Sequence, residues 1–284
     1  MVNKITIRNS VKIIDDEYAI KKKKNNLGNI YNYLLSRSFD YFPKVVNDDG
    51  DNYYYQYIKD ISEPNEQKMI DLINLVSLLH NKTTFYKEVD IDDYKYIYES
   101  VTNLIDDTFN YYNVLIDNID NDVYMSPSNY LVARNISIIF NALSYSKEGI
   151  DNWYKMVKDN RKIRLATVHN NLKLEHYIKG DKSYLISWDR SSNDIPLFDL
   201  ITLYKNHYLE YDFINLFKIY FSKYPFSSDE MVLFLTIISI PSKIEYNSSE
   251  YKTVLLIRRI IDYIYKSNQI VLEFDKRDYG QNKV

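Results

Sequence analysis

The chain has no cysteine among its 284 residues. This absence excludes disulfide bonds, thiol nucleophiles and cysteine-ligated metal centres. Glycine is also scarce, with only five residues. No P-loop, no dinucleotide-binding glycine fingerprint and no Gly-x-Ser-x-Gly nucleophile motif occurs in the sequence, so the enzyme classes that these motifs mark are set aside.

Long apolar runs and an excess of one charge are lacking too. No run approaches the ~20 apolar residues that span a membrane, and no signal-type apolar region follows the first basic residue. Lys and Arg number 36 against 39 Asp and Glu, which leaves a formal net charge of -3 and no global basic field. The 30 tyrosines are spread over the whole chain rather than interleaved with basic residues. We expect a cytoplasmic protein with no nucleic-acid partner and no membrane span.

The first sixty residues carry the pattern of a small antiparallel sheet. Alternating apolar residues and turn signals predict strands over 5–7, 11–14 and 18–20. Apolar residues spaced by three and four predict a helix over 26–39. The Asp49-Gly50 pair in NDDGDN predicts a hairpin between strands 44–46 and 53–58. The predicted order is therefore β-β-β-α-β-β.

The remainder reads as mainly helical around one polar stretch. Helices are predicted over 62–82, 96–116, 130–157, 198–208, 213–220, 229–238 and 251–266. The stretch 165–204 combines a polar loop around His169 and His176, a turn at Gly180, a predicted strand over 184–188 and a loop before a helix. No other part of the chain places so many polar residues beside short apolar runs, so we seek the function there.

Two segments of this stretch, VHNNLKLEHYI and SYLISWDRSSNDIPLFDL, resemble the loop pair of a known family. The family is the aminoglycoside phosphotransferase and choline kinase group of the protein-kinase-like superfamily, and the spore-coat kinase-like proteins in particular. LVSLLHNKTTF resembles a helix end of the group, and Tyr18-Ala19-Ile20-Lys21 resembles the strand that carries its ATP lysine. The resemblance therefore extends over nearly the whole chain in order.

The resemblance implies an α+β, protein-kinase-like two-lobe fold. Residues 1–60 would form the N-lobe, a small antiparallel five-stranded sheet with one helix. Residues 61–274 would form a mainly helical C-lobe with the catalytic-type loop at 165–200, and 275–284 would be a polar tail. The spore-coat likeness adds association with a spore coat to the expected cytoplasmic location.

Three positions of the loop depart from the family's pattern. The catalytic carboxylate of the group falls at Asn171, its first Mg²⁺ ligand at His176 and its strand aspartate at Ser187. An amide cannot accept a proton at neutral pH. Imidazole is a poor ligand for a hard cation that prefers oxygen. The resemblance thus implies a loop without the base and metal ligands of a phosphotransferase, and no bound metal is expected.

Other positions match residues of the family that hold the loop in place or contact the nucleotide. His169 and Asp199 are expected to hold the loop by hydrogen bonds, and Lys21 is placed to contact a phosphate. Asp189 is the nearby carboxylate that would restore metal binding, since two residues along a strand return to the same face. The three lysines that follow Lys21 favour a solvated charge run as the simpler interpretation.

Three functions stay open. The first is a catalytically inactive kinase-like protein, a pseudokinase that acts by binding or assembly, with an unknown protein or small-molecule partner and no cofactor. The second is an atypical small-molecule phosphotransferase that uses ATP and Mg²⁺ through Lys21 and Asp189, with an alcohol group as acceptor. The third is a nucleotide or small-ligand sensor without turnover. The departures of Asn171, His176 and Ser187 from the family's motif favour the inactive kinase-like protein.

Overall fold

The computed structural model describes residues 11–15 and 17–275 with their side chains, and residues 5–8 as backbone. The predicted turn at Asn9 and Ser10 and the predicted tail beyond Asp275 lie outside the described residues. Two compact units are formed. The first comprises Met1–Tyr86, Arg164–Asn206 and Asn215–Pro225, and the second Lys87–Ile163, His207–Ile214 and Phe226–Val284. The lobe boundary near residue 60 stays a prediction.

The first unit begins with an antiparallel sheet and one helix. Its elements are β1 (Ile5–Arg8), β2 (Val11–Ile14), β3 (Tyr18–Lys22), α1 (Gly28–Ser36), β4 (Val45–Asp48) and β5 (Asn52–Gln56). The strand order is β1-β2-β3-β5-β4, and side chains are described for β2 to β5. Between β4 and β5, Gly50 has a φ of 94°, and Asp49 Oδ1 accepts the Asn52 N–H at 2.7 Å. The predicted hairpin is confirmed.

The rest of the first unit packs around one long helix. The following elements, four of which extend into the second unit, are α2 (Asn65–Thr83), β6 (Phe85–Glu88), β7 (Lys162–Val168), β8 (Tyr177–Lys179), β9 (Ser183–Leu185), β10 (Ser192–Asp194), α5 (Leu197–His207) and α6 (Phe213–Lys223). β7 pairs with β10 and β8 pairs with β9, both antiparallel. The predicted apolar stripe of α2, which includes Met69, Leu72 and Val76, is fully buried.

The second unit is helical. It contains α3 (Ile91–Asn121), α4 (Pro127–Val157), α7 (Ser228–Ile238) and α8 (Glu250–Phe274), and α4 packs against the other three. A capping box of Asp90 and Asp93 starts α3 earlier than predicted. The α+β class, with an antiparallel N-terminal sheet followed by a mostly helical part, is confirmed. Within the described residues, no helix is long and apolar enough to cross a membrane.

The predicted strand over 184–188 is wrong at its end. β9 stops at Leu185, Ser187 adopts the left-handed conformation with φ of 69° and ψ of 47°, and Trp188–Arg190 forms a 3-10 turn. The turn directs the indole of Trp188 inward, where its Nε1 donates to Leu185 O at 2.8 Å and only 1% of the side chain is exposed. Ser187 and Asp189 therefore do not lie on one strand, and the expectation that their side chains share a strand face is wrong.

The close contact between α4 and α7 generates the first prediction. A Cβ on Gly149 would clash with Oγ1 of Thr236, a residue that is itself only 1% exposed. Overpacking of this kind costs about 1–3 kcal/mol, which outweighs the ~1 kcal/mol that alanine gains over glycine in a helix. We expect Gly149→Ala to lower the free energy of unfolding measured by urea denaturation.

The matched double variant separates the steric effect from helix propensity. Thr236→Ala removes the clashing oxygen, so Gly149→Ala should cost much less in that background than in the wild type. Ser144→Ala, at an exposed position of the same helix, serves as the control and should be neutral or slightly stabilising. Equal costs of Gly149→Ala in the two backgrounds would contradict the packing explanation.

Candidate functional site

The loop after β7 is held by one buried carboxylate. Asp199 lies in the first turn of α5 and is fully buried. Its Oδ2 accepts the backbone N–H of His169 at 2.7 Å, and its Oδ1 accepts that of Asn170 at 2.8 Å. Asn170 has a φ of 57°, and asparagine enters this left-handed region more readily than most residues. The structure thus brings together the two residues expected to hold the loop.

A histidine on α2 completes the surroundings of this carboxylate. His80 Nε2 lies 3.2 Å from Asp199 Oδ2 and acts as donor, because a carboxylate only accepts. The hydroxyl of Tyr220 lies 2.7 Å from His80 Nδ1. Burial alone raises the pKa of Asp199, but the hydrogen bond from His80 and the other interactions with His80 and His169 hold the pKa below its ordinary value. The carboxylate is therefore ionised at neutral pH.

Sequence reasoning did not assign this role to His80, and it missed Tyr220. The sequence marked His80 only as part of a helix end that resembles the family. The usable signal was a histidine on the apolar face of a helix, which needs hydrogen-bond partners when it is buried. Tyr220 lies 140 residues further along the chain, so no local spacing indicates the contact.

The loop contains two imidazoles whose ring centroids lie 5.6 Å apart. His169 Nε2 donates to Ile186 O at 2.8 Å, and His176 Nδ1 donates to Asn171 O at 2.6 Å. Burial lowers the pKa of both His169 and His176. Both rings are therefore neutral at pH 7, and each has a ring nitrogen engaged in holding a backbone carbonyl.

The three positions expected to depart from the family's pattern are Asn171, His176 and Ser187, and they lie in the loop after β7 and in the turn after β9. Asn171 is half-buried, and its carbonyl oxygen accepts the bond from His176. Ser187 is also half-buried, in the left-handed conformation described above. Aspartate and asparagine adopt that conformation more readily than most residues. The backbone therefore does not explain why a serine, rather than an aspartate, occupies position 187.

Lys21 and Asp189, which an atypical phosphotransferase would use for ATP and Mg²⁺, form an ion pair with each other. Their side chains are 20% and 18% exposed. Asn25 Nδ2 donates to Asp189 O at 2.7 Å, which fixes the backbone of the turn. Lys22 and Lys24 are exposed, as expected for a solvated charge run. Lys21 differs from them because a carboxylate already neutralises its ammonium group.

Two tyrosines lie in the electrostatic neighbourhood of Asp189. The hydroxyls of Tyr31 on α1 and Tyr55 on β5 are 3.3 Å apart. Burial, with smaller contributions that include the charge of Asp189, raises the pKa of Tyr55 to about 12 and raises that of Tyr31 as well. Both phenols are therefore neutral at physiological pH, and they add no charge beside the ion pair of Lys21 and Asp189.

The side chains of the loop do not fit a Mg²⁺ site. Mg²⁺ requires oxygen ligands in near-octahedral geometry. Asp199 accepts backbone amides, Asp189 is paired with Lys21, and His176 holds a carbonyl. In the part of the chain that the structure describes, no three His, Cys, Asp or Glu side chains are placed to hold a metal ion.

The lowered histidine pKa values generate a prediction about pH. A histidine whose folded-state pKa lies below its unfolded value of about 6.5 binds more protons when unfolded. Its contribution to stability is present at higher pH and is lost as pH falls below about 6.5. We expect the free energy of unfolding to decrease between pH 7.5 and 5.5, at a rate of up to about 1.4 kcal/mol per pH unit for each such histidine.

Urea denaturation across this pH range tests the contribution of His176. His176→Asn keeps a side-chain donor for Asn171 O but removes the titrating group, so the loss of stability at low pH should become smaller. Glu175→Gln changes the exposed neighbour on the same turn and should keep the wild-type slope. An unchanged slope in His176→Asn would contradict the assignment.

Comparisons with known proteins address the fold. No family model and no curated protein matches the sequence. An aminoglycoside phosphotransferase from Alicyclobacillus acidocaldarius superposes with a TM-score of 0.73 at 9% identity, over 96% of this chain and 92% of that one. A glucosamine kinase superposes with a TM-score of 0.51 at 8% identity, over 93% and 75%. An AMP-bound spectinomycin phosphotransferase gives 0.50 at 11% identity, over 97% and 89%. The chain therefore has the fold of an aminoglycoside phosphotransferase.

Proposed function

We propose that this chain is a kinase-like protein that does not transfer phosphate and acts by binding a protein or a small molecule. The observation that carries the proposal is the ion pair between Lys21 and Asp189. The lysine expected to contact phosphates and the carboxylate expected to rescue metal binding neutralise each other. A nucleotide and its metal ion would have to break this pair before either residue served them.

The chemistry of the loop supports the same conclusion. Phosphoryl transfer needs a carboxylate that orients the acceptor hydroxyl and oxygen ligands that hold Mg²⁺ on the phosphates. The family positions for these groups carry Asn171, His176 and Ser187. Of these, His176 donates to the Asn171 carbonyl and so has a structural use. This set of residues favours a protein that keeps the structure of the loop and does not catalyse phosphoryl transfer.

The resemblance to spore-coat kinase-like proteins extends the proposal to a role in an assembly. A protein of a coat needs a stable scaffold and binding surfaces rather than a catalytic base. A sensor that binds a nucleotide or another small ligand without turnover differs from this function only in its ligand. The two are distinguished by whether a nucleotide stabilises the chain.

A thermal-shift assay with ATP, with and without Mg²⁺, tests the proposed function. A ligand stabilises the folded state according to its concentration relative to its Kd, by about 2.7 kcal/mol at a hundredfold excess. We expect no Mg²⁺-dependent rise in Tm for the wild type at about 1 mM ATP. A Mg²⁺-dependent rise of several degrees that Lys21→Met abolishes would refute the proposal.

A matched pair of variants tests the ion pair itself. Asp189→Ala frees the ammonium of Lys21, so ATP without Mg²⁺ should raise the Tm of this variant more than that of the wild type. Adding Lys21→Met to Asp189→Ala should remove the difference. An equal response of the wild type and Asp189→Ala would show that the pair does not limit nucleotide access.

An atypical small-molecule phosphotransferase is the second candidate function. The observation in its favour is that a cation and a carboxylate lie side by side and about one-fifth exposed, within reach of a ligand. If the chain transfers phosphate from ATP to an alcohol, Asp189→Ala should abolish the transfer, whereas Asn171→Ala should cost less. A radiolabelled transfer assay against aminoglycosides and amino alcohols measures this. Undiminished transfer by Asp189→Ala would remove this candidate.

A further inference from the structure

A second site in the first unit is lined by none of the candidate residues described above, which are Lys21, His169, Asn171, His176, Ser187, Asp189 and Asp199. It is an open cleft of about 460 Å³ along the outer face of α2, here called the α2 cleft. Facing that helix are Tyr41, the β8–β9 hairpin and Lys223 at the end of α6. Its volume lies in the range of small-molecule sites, roughly 300–1,000 Å³. The chemistry of its walls indicates what it accepts.

The carboxylate of the α2 cleft is already satisfied. Lys179 Nζ lies 2.7 Å from Asp71 Oδ2, and the Tyr177 hydroxyl donates to the same oxygen at 3.1 Å. Gln67 Nε2 donates to Asp71 Oδ1 at 2.8 Å. Lys179 neutralises the charge of Asp71, and three donors occupy its oxygens. The cleft therefore offers no free carboxylate to a cationic ligand or a metal ion.

The second lysine of the α2 cleft, Lys223, is bonded to a neutral group. Lys223 Nζ donates to the neutral amide oxygen of Asn74 at 2.6 Å. Among the described residues, no carboxylate lies within ion-pair distance of Lys223. Lys82, the residue after Asn81 of the cleft wall, donates to the backbone oxygen of Ser38 and interacts electrostatically with Asp40. The surroundings of the cleft thus carry a positive excess.

The floor of the α2 cleft is apolar. Leu75 is 4% exposed, and Leu78 and the ring of Tyr41 are half-buried. Lys182 holds the ring from one side, with its Nζ 5.1 Å from the centroid of Tyr41, while its own charge is paired with Asp40. A flat apolar group would remove this surface from water, which contributes roughly 25 cal/mol per Å² buried.

We propose that the α2 cleft binds a small organic anion, a phosphorylated or carboxylated molecule with a flat apolar body. The anionic group pairs with Lys223, and the body lies on Tyr41 and Leu78. A bare inorganic anion would leave the apolar floor uncovered, and a neutral aromatic molecule would leave Lys223 without a counter-charge. This inference goes beyond the proposed function, since it concerns a site that does not use Lys21 or Asp189.

Phenyl phosphate is the probe that combines both features. Ligand-detected NMR titration of the full chain should show that phenyl phosphate binds at least tenfold more tightly than either phenol or inorganic phosphate. Equal binding of inorganic phosphate would overturn the proposal, because the apolar floor would then contribute nothing. Absence of phenyl phosphate binding up to about 10 mM would overturn it as well.

Variants locate the probe within the molecule. Lys223→Met should weaken phenyl phosphate binding at least tenfold, whereas Lys223→Arg, which keeps the charge, should stay within about threefold. Leu78→Asp, which places a like charge on the floor, should abolish binding. Lys252→Met, at an exposed position of α8, is the charge-matched control and should bind as the wild type does.

Two outcomes separate this inference from the proposed function. Wild-type affinity in Lys223→Met would overturn the inference, and circular dichroism of each variant shows that the fold is retained. Loss of binding in Lys21→Met would place the probe in the candidate functional site and overturn the inference too. The ATP thermal shift does not depend on Lys223. One of the two proposals can therefore be refuted while the other stands.

Discussion

The buried carboxylate of Asp199 is the interaction on which the candidate site depends. Removing a charge from water costs several kcal/mol, and a buried charge persists only when partners compensate that cost. Here two backbone amides and His80 supply the partners. Because His80 also contacts Tyr220, one carboxylate ties α5, the end of β7, α2 and α6 together.

The residues that shape the loop are largely different from those that would perform chemistry. Asp199 and His169 bind backbone groups, so their loss would unfold the loop whatever reaction it served. The resemblance places a base at Asn171 and a metal ligand at Ser187, and chemistry of that kind places no demand on the fold. His176 is intermediate, because its imidazole holds the Asn171 carbonyl.

Local patterns predicted much of the fold and little of the site. The hairpin at Asp49-Gly50 and the buried face of α2 follow from turn chemistry and apolar spacing, which act over a few residues. The end of β9 does not follow from such local patterns. The turn after it is fixed by burial of Trp188 against the rings of Phe39 and Phe42, which are far away in the sequence. β6 was missed because its four residues are mostly exposed and lack an apolar alternation. Family resemblance indicated the loop residues, whereas only the structure shows what they contact.

Lys21 pairs with Asp189, which lies 168 residues further along the chain. This ion pair raises the free-energy cost of binding an anion or a metal ion at the candidate site. At the candidate site, a phosphate would compete with Asp189 for the lysine, and a metal ion would compete with the lysine for Asp189. Breaking a partly buried pair leaves each charge with a desolvation cost that the ligand must offset. Lys223 in the α2 cleft is bonded to a neutral amide oxygen, so an anion there gains a charge pair without breaking one. The distribution of internal ion pairs therefore favours anion binding in the α2 cleft over the kinase-like loop.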